Sequence, residues 1–361
     1  MNIVTSLMLI LLIILLLVVL YIVNYRIHQD GMITLFQFNK DFTNYNNSDE
    51  ISKPFSEFNF NVSKTFHNAN FIFFSDYIFI DEYLPKVNFI PSTSYIIYGF
   101  VGTDLLANKS YFAKHMQTTS DGIKCIPKTY ILNNDNSSLS FSKDIYILKA
   151  NRQRQEGILI TKDIKYIKDK AYDDGYVVAQ QLVQDVFLVN KRKINMRIYL
   201  LIVIKNNTIT WYVYKDGFMY YTPKLFISNS DDKDVNVTSG YVPREIYDEN
   251  PLTHSDFYNF IGINNSNKLQ KNIYSVFNTV KDIYSDELLE LNKNIPGVKV
   301  NIIGCDIQPT ANLDVLLIEC NKGCSLVYMD ERDKEVKLNL VKNMFSLIGV
   351  TNGDKTMFHK I

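Results

Sequence analysis

The chain is short of the features that mark several common protein classes. It has one tryptophan and only 14 glycines in 361 residues, and its 38 basic residues are matched by 38 acidic ones. That balance removes any global electrostatic signal for nucleic-acid binding. No internal repeats are found. The four cysteines, Cys125, Cys305, Cys320 and Cys324, form no CxxC-like pairs with histidine partners, so a zinc site is not indicated. They read as reduced thiols in or near a core, which favours a reducing compartment. A basic loop, NRQRQEGI, holds a single glycine, Gly157, so it is not a glycine-rich phosphate cradle.

What the chain does have begins with an apolar run, Ile3 to Val23, close to the ~20 residues that a membrane-spanning helix needs. No Lys or Arg precedes it and bulky residues follow, so it reads as an uncleaved anchor rather than a signal peptide. Arg26 on its C-terminal side places the bulk of the chain in the cytosol. The expected localisation is therefore a single-pass membrane protein with a cytosolic catalytic domain. The expected organisation is an anchor over 1–25, a tether over 26–54, a small α/β subdomain over 55–138 and a larger unit over 139–350.

The stretch Val300 to Leu326, VNIIGCDIQPTANLDVLLIECNKGCSL, organises the rest. Its pattern predicts two apolar strands joined by a turn at Pro309, Asn312 and Asp314. Asp306 interrupts the first strand, and Glu319 and Asn321 interrupt the second on one face. Two carboxylates and an amide oxygen among aliphatics are hard ligands suited to Mg²⁺. A solvent-facing hairpin is the competing reading, but unpaired buried carboxylates are costly.

Upstream, strands are expected at Phe71 to Phe74, Tyr77 to Ile80 and Tyr95 to Phe100, then a helix over Leu105 to Met116. DIYILKA predicts a strand ending in Lys149, followed by the loop with Arg152 and Arg154 and a strand at Ile158 to Thr161. Such a lysine and arginines can hold phosphates by charge, or form a solvated basic loop. Another strand is expected at Tyr176 to Val183. In KINMR, Lys193, Asn195 and Arg197 alternate and share one strand face. WYVYKDGFMYY predicts a hairpin turning at Asp216-Gly217. Helical spacing marks Lys268 to Leu291, with Ile273, Val276, Phe277, Val280 and Ile283 on one face, and Val336 to Ile348.

Together these blocks resemble the tubulin-tyrosine ligase-like family of the ATP-grasp superfamily, over roughly Leu105 to Leu326. NKSYFAKHM with IPKTYIL is similar to the family's Lys-containing helix and Pro-x-Thr-aromatic strand. YILKA, VVAQQLVQDVFLVNKRKINMRIYLLI, YKDGFMYYTPKLF, NVTSGYV, IIGCDIQ and LLIECN follow in family order. The resemblance implies an α/β (α+β) ATP-grasp fold with a small N-terminal α/β subdomain, preceded here by the transmembrane helix. It implies an ATP- and Mg²⁺-dependent carboxylate–amine ligase that adds an amino acid to a protein or peptide through an acyl phosphate. Lys149 would neutralise phosphates, Gln180 would meet the adenine edge, and Lys193 and Thr238 would support the nucleotide. Arg197 would act on the γ-phosphate and the activated carboxylate, and Asp306, Glu319 and Asn321 would hold Mg²⁺. The implied partners are an amino acid, an acidic acceptor such as a tubulin tail, and the membrane, with no nucleic acid. Lys162, Lys165, Lys168, Lys170, Lys191 and Arg192 could receive such a tail. Four positions depart from the family pattern: Asn195 replaces its usual Asp, Tyr220 an Arg, and Asn236 and Ser239 the usual His and Asn. The alternative is a membrane-anchored pseudoenzyme that keeps the fold as a nucleotide- or peptide-binding module.

Overall fold

A computed structural model describes residues 95–152, 157–326 and 328–361, with 34–38, 61–62, 69, 71–74, 80–87 and 89. The strands in chain order are β1 (Thr34–Phe38), β2 (Asn61–Val62), β3 (Phe71–Phe74), β4 (Ile96–Tyr98), β5 (Thr129–Ile131), β6 (Tyr146–Lys149), β7 (Ile158–Thr161), β8 (Val178–Gln181), β9 (Leu188–Val189), β10 (Arg192–Lys205), β11 (Thr208–Tyr221), β12 (Val298–Pro309), β13 (Val315–Asn321) and β14 (Phe358–Lys360). They form two sheets. The small one runs β5-β8-β6-β7 and is antiparallel throughout. The large one runs β14-β11-β10-β12-β4-β3-β1-β2, with β13 added beside β12 and β9 beside β10.

The long antiparallel pairs β11-β10-β12 form the floor of the large sheet. Their near-continuous apolar runs fit strands buried on both faces. Ile198, Leu200, Leu201, Ile202, Ile302 and Ile303 are fully or almost fully buried. The helix Ile263–Asn292 packs a stripe of Leu269, Ile273, Val276, Phe277, Val280, Tyr284 and Leu288 on the core. The last helix, Glu331–Leu347, buries Val336, Leu340, Val341, Met344 and Phe345.

Several sequence expectations change in detail. The expected helix Leu105 to Met116 is two helices, Thr103–Ala107 and Lys109–Met116. Asn108 divides them because its side chain accepts from the backbone N–H groups of Ser110 and Tyr111, capping the second helix. The hairpin expected at Asp216-Gly217 turns instead at Asn206-Asn207, whose φ angles of 50° and 56° suit a two-residue type I′ turn. Asp216 and Gly217 lie inside β11 at a register shift. A Cβ on Gly217 would stand 2.3 Å from the Arg197 carbonyl oxygen and 2.5 Å from His254 Cε1, so close packing excludes a larger residue there. Thr34–Phe38, inside the expected tether, pairs in parallel with β3. Of the strand expected at Tyr77 to Ile80, residues 77–79 lie outside the described residues, and Ile80 begins a helical turn, Ile80–Tyr83.

The membrane expectation is corrected. Among the described residues no helix is long and apolar enough to cross a membrane. The 30-residue helix Ile263–Asn292 is long enough, but polar and charged residues fill its outer face. The run Ile3 to Val23, on which the expected anchor rests, lies outside the described residues. Single-pass membrane localisation is not retained.

Candidate nucleotide and metal site

The two sheets face each other across a cavity of about 1140 Å³. That is just above the usual range for small-molecule sites, ~300–1,000 Å³. The small sheet supplies its first wall. β6 and β8 pair with Ile147 opposite Gln180 and Lys149 opposite Val178, which sets Lys149 diagonal to Gln180. Lys149 Nζ donates to Gln180 Oε1 at 2.9 Å, and Gln180 Nε2 donates to Thr129 Oγ1 at 3.1 Å. Lys149 is only 4% exposed, and burial pushes its ammonium down to about 8.

The large sheet supplies the floor. Lys193, Asn195 and Arg197 alternate along β10 and all three line the cavity, as the sequence predicts. Burial, with Lys149 nearby, also brings Lys193 down to about 8. Two ammonium groups depressed in one cavity call for an anion between them. Arg197 stands opposite Asp306 in the β10–β12 register and makes a bidentate pair, Nε to Oδ1 at 2.6 Å and Nη2 to Oδ2 at 3.0 Å. Burial opposes the guanidinium charge, yet Asp306 holds Arg197 well above its ordinary value. The ring of Tyr220 lies 5.1 Å from the guanidinium, and burial pushes its phenol up to about 12.

Asp306 in turn stands opposite Glu319 across β12 and β13, where a bulge follows Asp306. Asn321 lies one strand period beyond Glu319 and donates to Glu319 Oε1 and to the Gly304 carbonyl, both at 3.4 Å. Burial pushes the Glu319 carboxyl up, but Lys149, then Lys109 and Asn321, outweigh it and leave the carboxyl below its ordinary value. An ionised carboxylate, a second carboxylate and an amide oxygen fit a hard divalent cation that also binds phosphate. Among the described residues no group of three or more His, Cys, Asp or Glu is placed to hold a metal ion, so a cation here would rest on the two carboxylates, the Asn321 oxygen and the phosphates it binds.

Thr238 lines the far wall within the segment Asn236 to Tyr241. Asn236 donates to the Ser230 and Asp232 carbonyls, while its Oδ1 and that of Asn195 are buried acceptors with no hydrogen-bond partner. Orphaned acceptors in a cavity imply a bound donor, such as a sugar hydroxyl, an amine or a water. The structure thus brings Lys149, Gln180, Lys193, Arg197, Thr238, Asp306, Glu319 and Asn321 around one space.

Sequence reasoning gave no role to four other lining residues: Lys109, Arg244, Asp333 and Lys337. Lys109 opens the helix Lys109–Met116 and donates to the Arg152 carbonyl at 2.9 Å. Arg154 lies outside the described residues. Lys337 and Asp333 sit one helical turn apart on the buried side of the last helix. A charged pair within an apolar stripe was the available signal.

Comparison with known proteins identifies the family. The model of the "Tubulin-tyrosine ligase family" matches residues 101–357. A "Probable tubulin polyglutamylase TTLL9" from Rattus norvegicus is 27% identical over 189 residues, 50% of this chain and 40% of that protein. A "Probable tubulin polyglutamylase ttll-9" from Caenorhabditis elegans is 25% identical over 57% of this chain and 52% of that protein. A "Tubulin glycylase 3D" from Tetrahymena thermophila is 23% identical over 62% of this chain and 22% of that protein. The chain therefore spans about half or less of the length of these relatives. With the family model covering most of its length and the cavity residues falling inside the match, the chain belongs to the tubulin-tyrosine ligase family.

Proposed function

We propose that the cavity binds Mg²⁺-ATP and that the protein is a ligase joining an amino acid to a carboxylate of a protein or peptide. The observation that carries this reading is the junction of buried Lys149 and Lys193 with the Asp306–Glu319 pair in one cavity. Such a constellation is unfavourable when empty and is matched by a polyphosphate with a hard cation. Mg²⁺ would supply neutralisation of the phosphate charge, held by Asp306, Glu319 and Asn321. Lys149, Lys193 and Lys109 would hold phosphate oxygens, and Gln180 would face the base. Arg197 would be the catalytic residue, fixed by Asp306 where charge grows on the γ-phosphate and the incoming carboxylate.

The carboxylate oxygen would attack the γ-phosphorus, giving an acyl phosphate and ADP. The amine of the amino acid would then attack the acyl carbon, forming the amide and releasing phosphate. No enzyme nucleophile is required, and the positioning of reactants does most of the work. The relatives' printed descriptions make a tubulin tail the first acceptor to try. Lys165, Lys170 and Lys191 are exposed and could receive an acidic chain.

A second reading has a specific observation behind it. Tyr220 covers Arg197 with an aromatic ring in place of a cation, and Asn195 supplies an amide where a carboxylate is usual. On that reading the protein binds nucleotide or peptide without turnover. Incubation with ATP, Mg²⁺, single amino acids and acidic peptides, read by mass spectrometry, separates the two. Peptide adducts that require ATP support the ligase, and Mg²⁺-ATP binding without any adduct supports the binding module.

A further inference from the structure

The hairpin that carries Asp306, Glu319 and Asn321 also carries two thiols with no part in the proposed reaction. In the β12–β13 register Gly304 stands opposite Asn321, Cys305 opposite Cys320 and Asp306 opposite Glu319. Alternation puts the two cysteines on one side of the sheet and the carboxylates on the other. Directly opposed residues on antiparallel strands have Cα atoms ~4.5–5.5 Å apart, inside the ~4.4–6.8 Å that a disulfide spans. The side chains also meet, with the two sulfurs 3.1 Å apart. Both cysteines are free and buried. The other two thiols are engaged elsewhere. Cys324 Sγ donates to the Ile302 carbonyl at 3.5 Å, and Cys125 hydrogen-bonds Thr279. A second cavity, of about 20 Å³, is lined by Cys320. That is room for one water. Lys109, Lys149, Gln180 and Glu319 line both this cavity and the nucleotide cavity, so they form the wall between Cys320 and the nucleotide site.

We propose that Cys305 and Cys320 are a redox modification site, which hydrogen peroxide closes into a disulfide, and that closure weakens Mg²⁺-ATP binding on the other face of the hairpin. Peroxide is close to water in size and fits the small cavity. The Cys320 sulfur attacks one peroxide oxygen and the O–O bond breaks, giving a sulfenic acid and water. The Cys305 sulfur then attacks the Cys320 sulfur. The S–S bond forms, the S–O bond breaks, and the oxygen leaves as a second water with the Cys305 proton. Each sulfur loses one electron and the peroxide gains two. The bond, at ~2.05 Å, needs the sulfurs to close by about 1 Å. Cys305 is joined to Asp306, and Cys320 lies between Glu319 and Asn321, so closure shifts the backbone of all three candidate Mg²⁺ ligands. Mg²⁺ demands near-ideal octahedral geometry, and a small shift lowers its affinity. The coupling rests on the Mg²⁺-ATP reading of the main cavity; the disulfide does not.

The test treats the full chain, reduced and freed of reductant, with hydrogen peroxide, then alkylates and digests it with trypsin. Cleavage after Lys299 and Lys322 leaves both cysteines in one peptide, 300–322. Mass spectrometry should find that peptide two hydrogens lighter with neither cysteine alkylated, while Cys125 and Cys324 stay alkylated. Dithiothreitol should reverse the change. Mg²⁺-ATP affinity, read by thermal shift, should fall at least about fivefold in the oxidised protein, the low end for coupled sites. Cys305→Ala and Cys320→Ala should each bind Mg²⁺-ATP like the reduced wild type and lose the response to peroxide. Both thiols still alkylated after peroxide, or oxidation of Cys320 that stops at a sulfinic acid, overturns the site. A disulfide that leaves Mg²⁺-ATP affinity unchanged, or a peroxide effect that persists in both variants, overturns the coupling. No thermal shift with Mg²⁺-ATP in the reduced wild type overturns the reading of the main cavity and the coupling with it, while the mass of peptide 300–322 still decides the disulfide.

Discussion

Lys149→Met should stabilise the ligand-free protein and abolish most of its response to Mg²⁺-ATP. Lys149 is 4% exposed, and burial moves its ammonium from 10.5 down to about 8. That drop corresponds to about 3 kcal/mol against folding at pH 7, since each pKa unit is worth ~1.4 kcal/mol. Glu319 attracts the ammonium, but less than burial opposes it. Methionine keeps the apolar stem and its packing. It loses the 2.9 Å bond to Gln180, a loss of about 1 kcal/mol. The net gain is about 2 kcal/mol, or roughly 4 °C in melting temperature for a protein of this size. The sign fixes the pH dependence. The unfavourable charge is present in full below about 8 and fades as pH rises toward the unfolded value of 10.5. The gap between variant and wild type should therefore narrow in melts at pH 9 relative to pH 7. With Mg²⁺-ATP at 100 times Kd, the wild type should gain about 2.7 kcal/mol, and the order of the two melts should reverse. A variant less stable than wild type without ligand, or one stabilised equally by Mg²⁺-ATP, would refute the reasoning.

Other expectations follow from the same geometry. Glu319→Gln and Asp306→Asn should each weaken Mg²⁺-dependent ATP binding, read as a smaller thermal shift with Mg²⁺-ATP than wild type shows. Arg197→Ala should lower turnover by about 10²–10³ while ATP affinity changes much less, because its contribution belongs to the transition state. The same change leaves Asp306 buried without its bidentate partner, so a stability loss of about 3–5 kcal/mol should accompany it in denaturant melts. Asn195→Asp restores the carboxylate usual in the family and should raise turnover if the amide limits it, as steady-state ADP release would show.

The strand pattern of the site was legible because period-two alternation survives in the structure. Lys193, Asn195 and Arg197 share a face on β10, and Glu319 stands opposite Asp306, as the spacing predicts. The turn at Asp216-Gly217 misled because Asp-Gly signals a turn only when the local chain decides. Here His254 and the Arg197 carbonyl press on Gly217, so tertiary packing explains the glycine. The true turn, Asn206-Asn207, lacks the glycine that marks most such turns. Arg244, Asp333 and Lys337 were not singled out because their pairing is long-range: 89 residues separate Arg244 from Asp333. No local pattern encodes that meeting. Lys109 was visible within a helix but acquired a role only when the helix was placed beside Glu319 and Arg152.

The central claim is that this cavity activates a carboxylate by phosphorylation. The most direct measurement uses an acceptor peptide labelled with ¹⁸O in its side-chain carboxylates, incubated with the protein, Mg²⁺-ATP and the amino acid. The account predicts one ¹⁸O transferred to the released phosphate for each amide formed, with ADP as the other product. Unlabelled phosphate accompanying amide formation, or AMP in place of ADP, would contradict it.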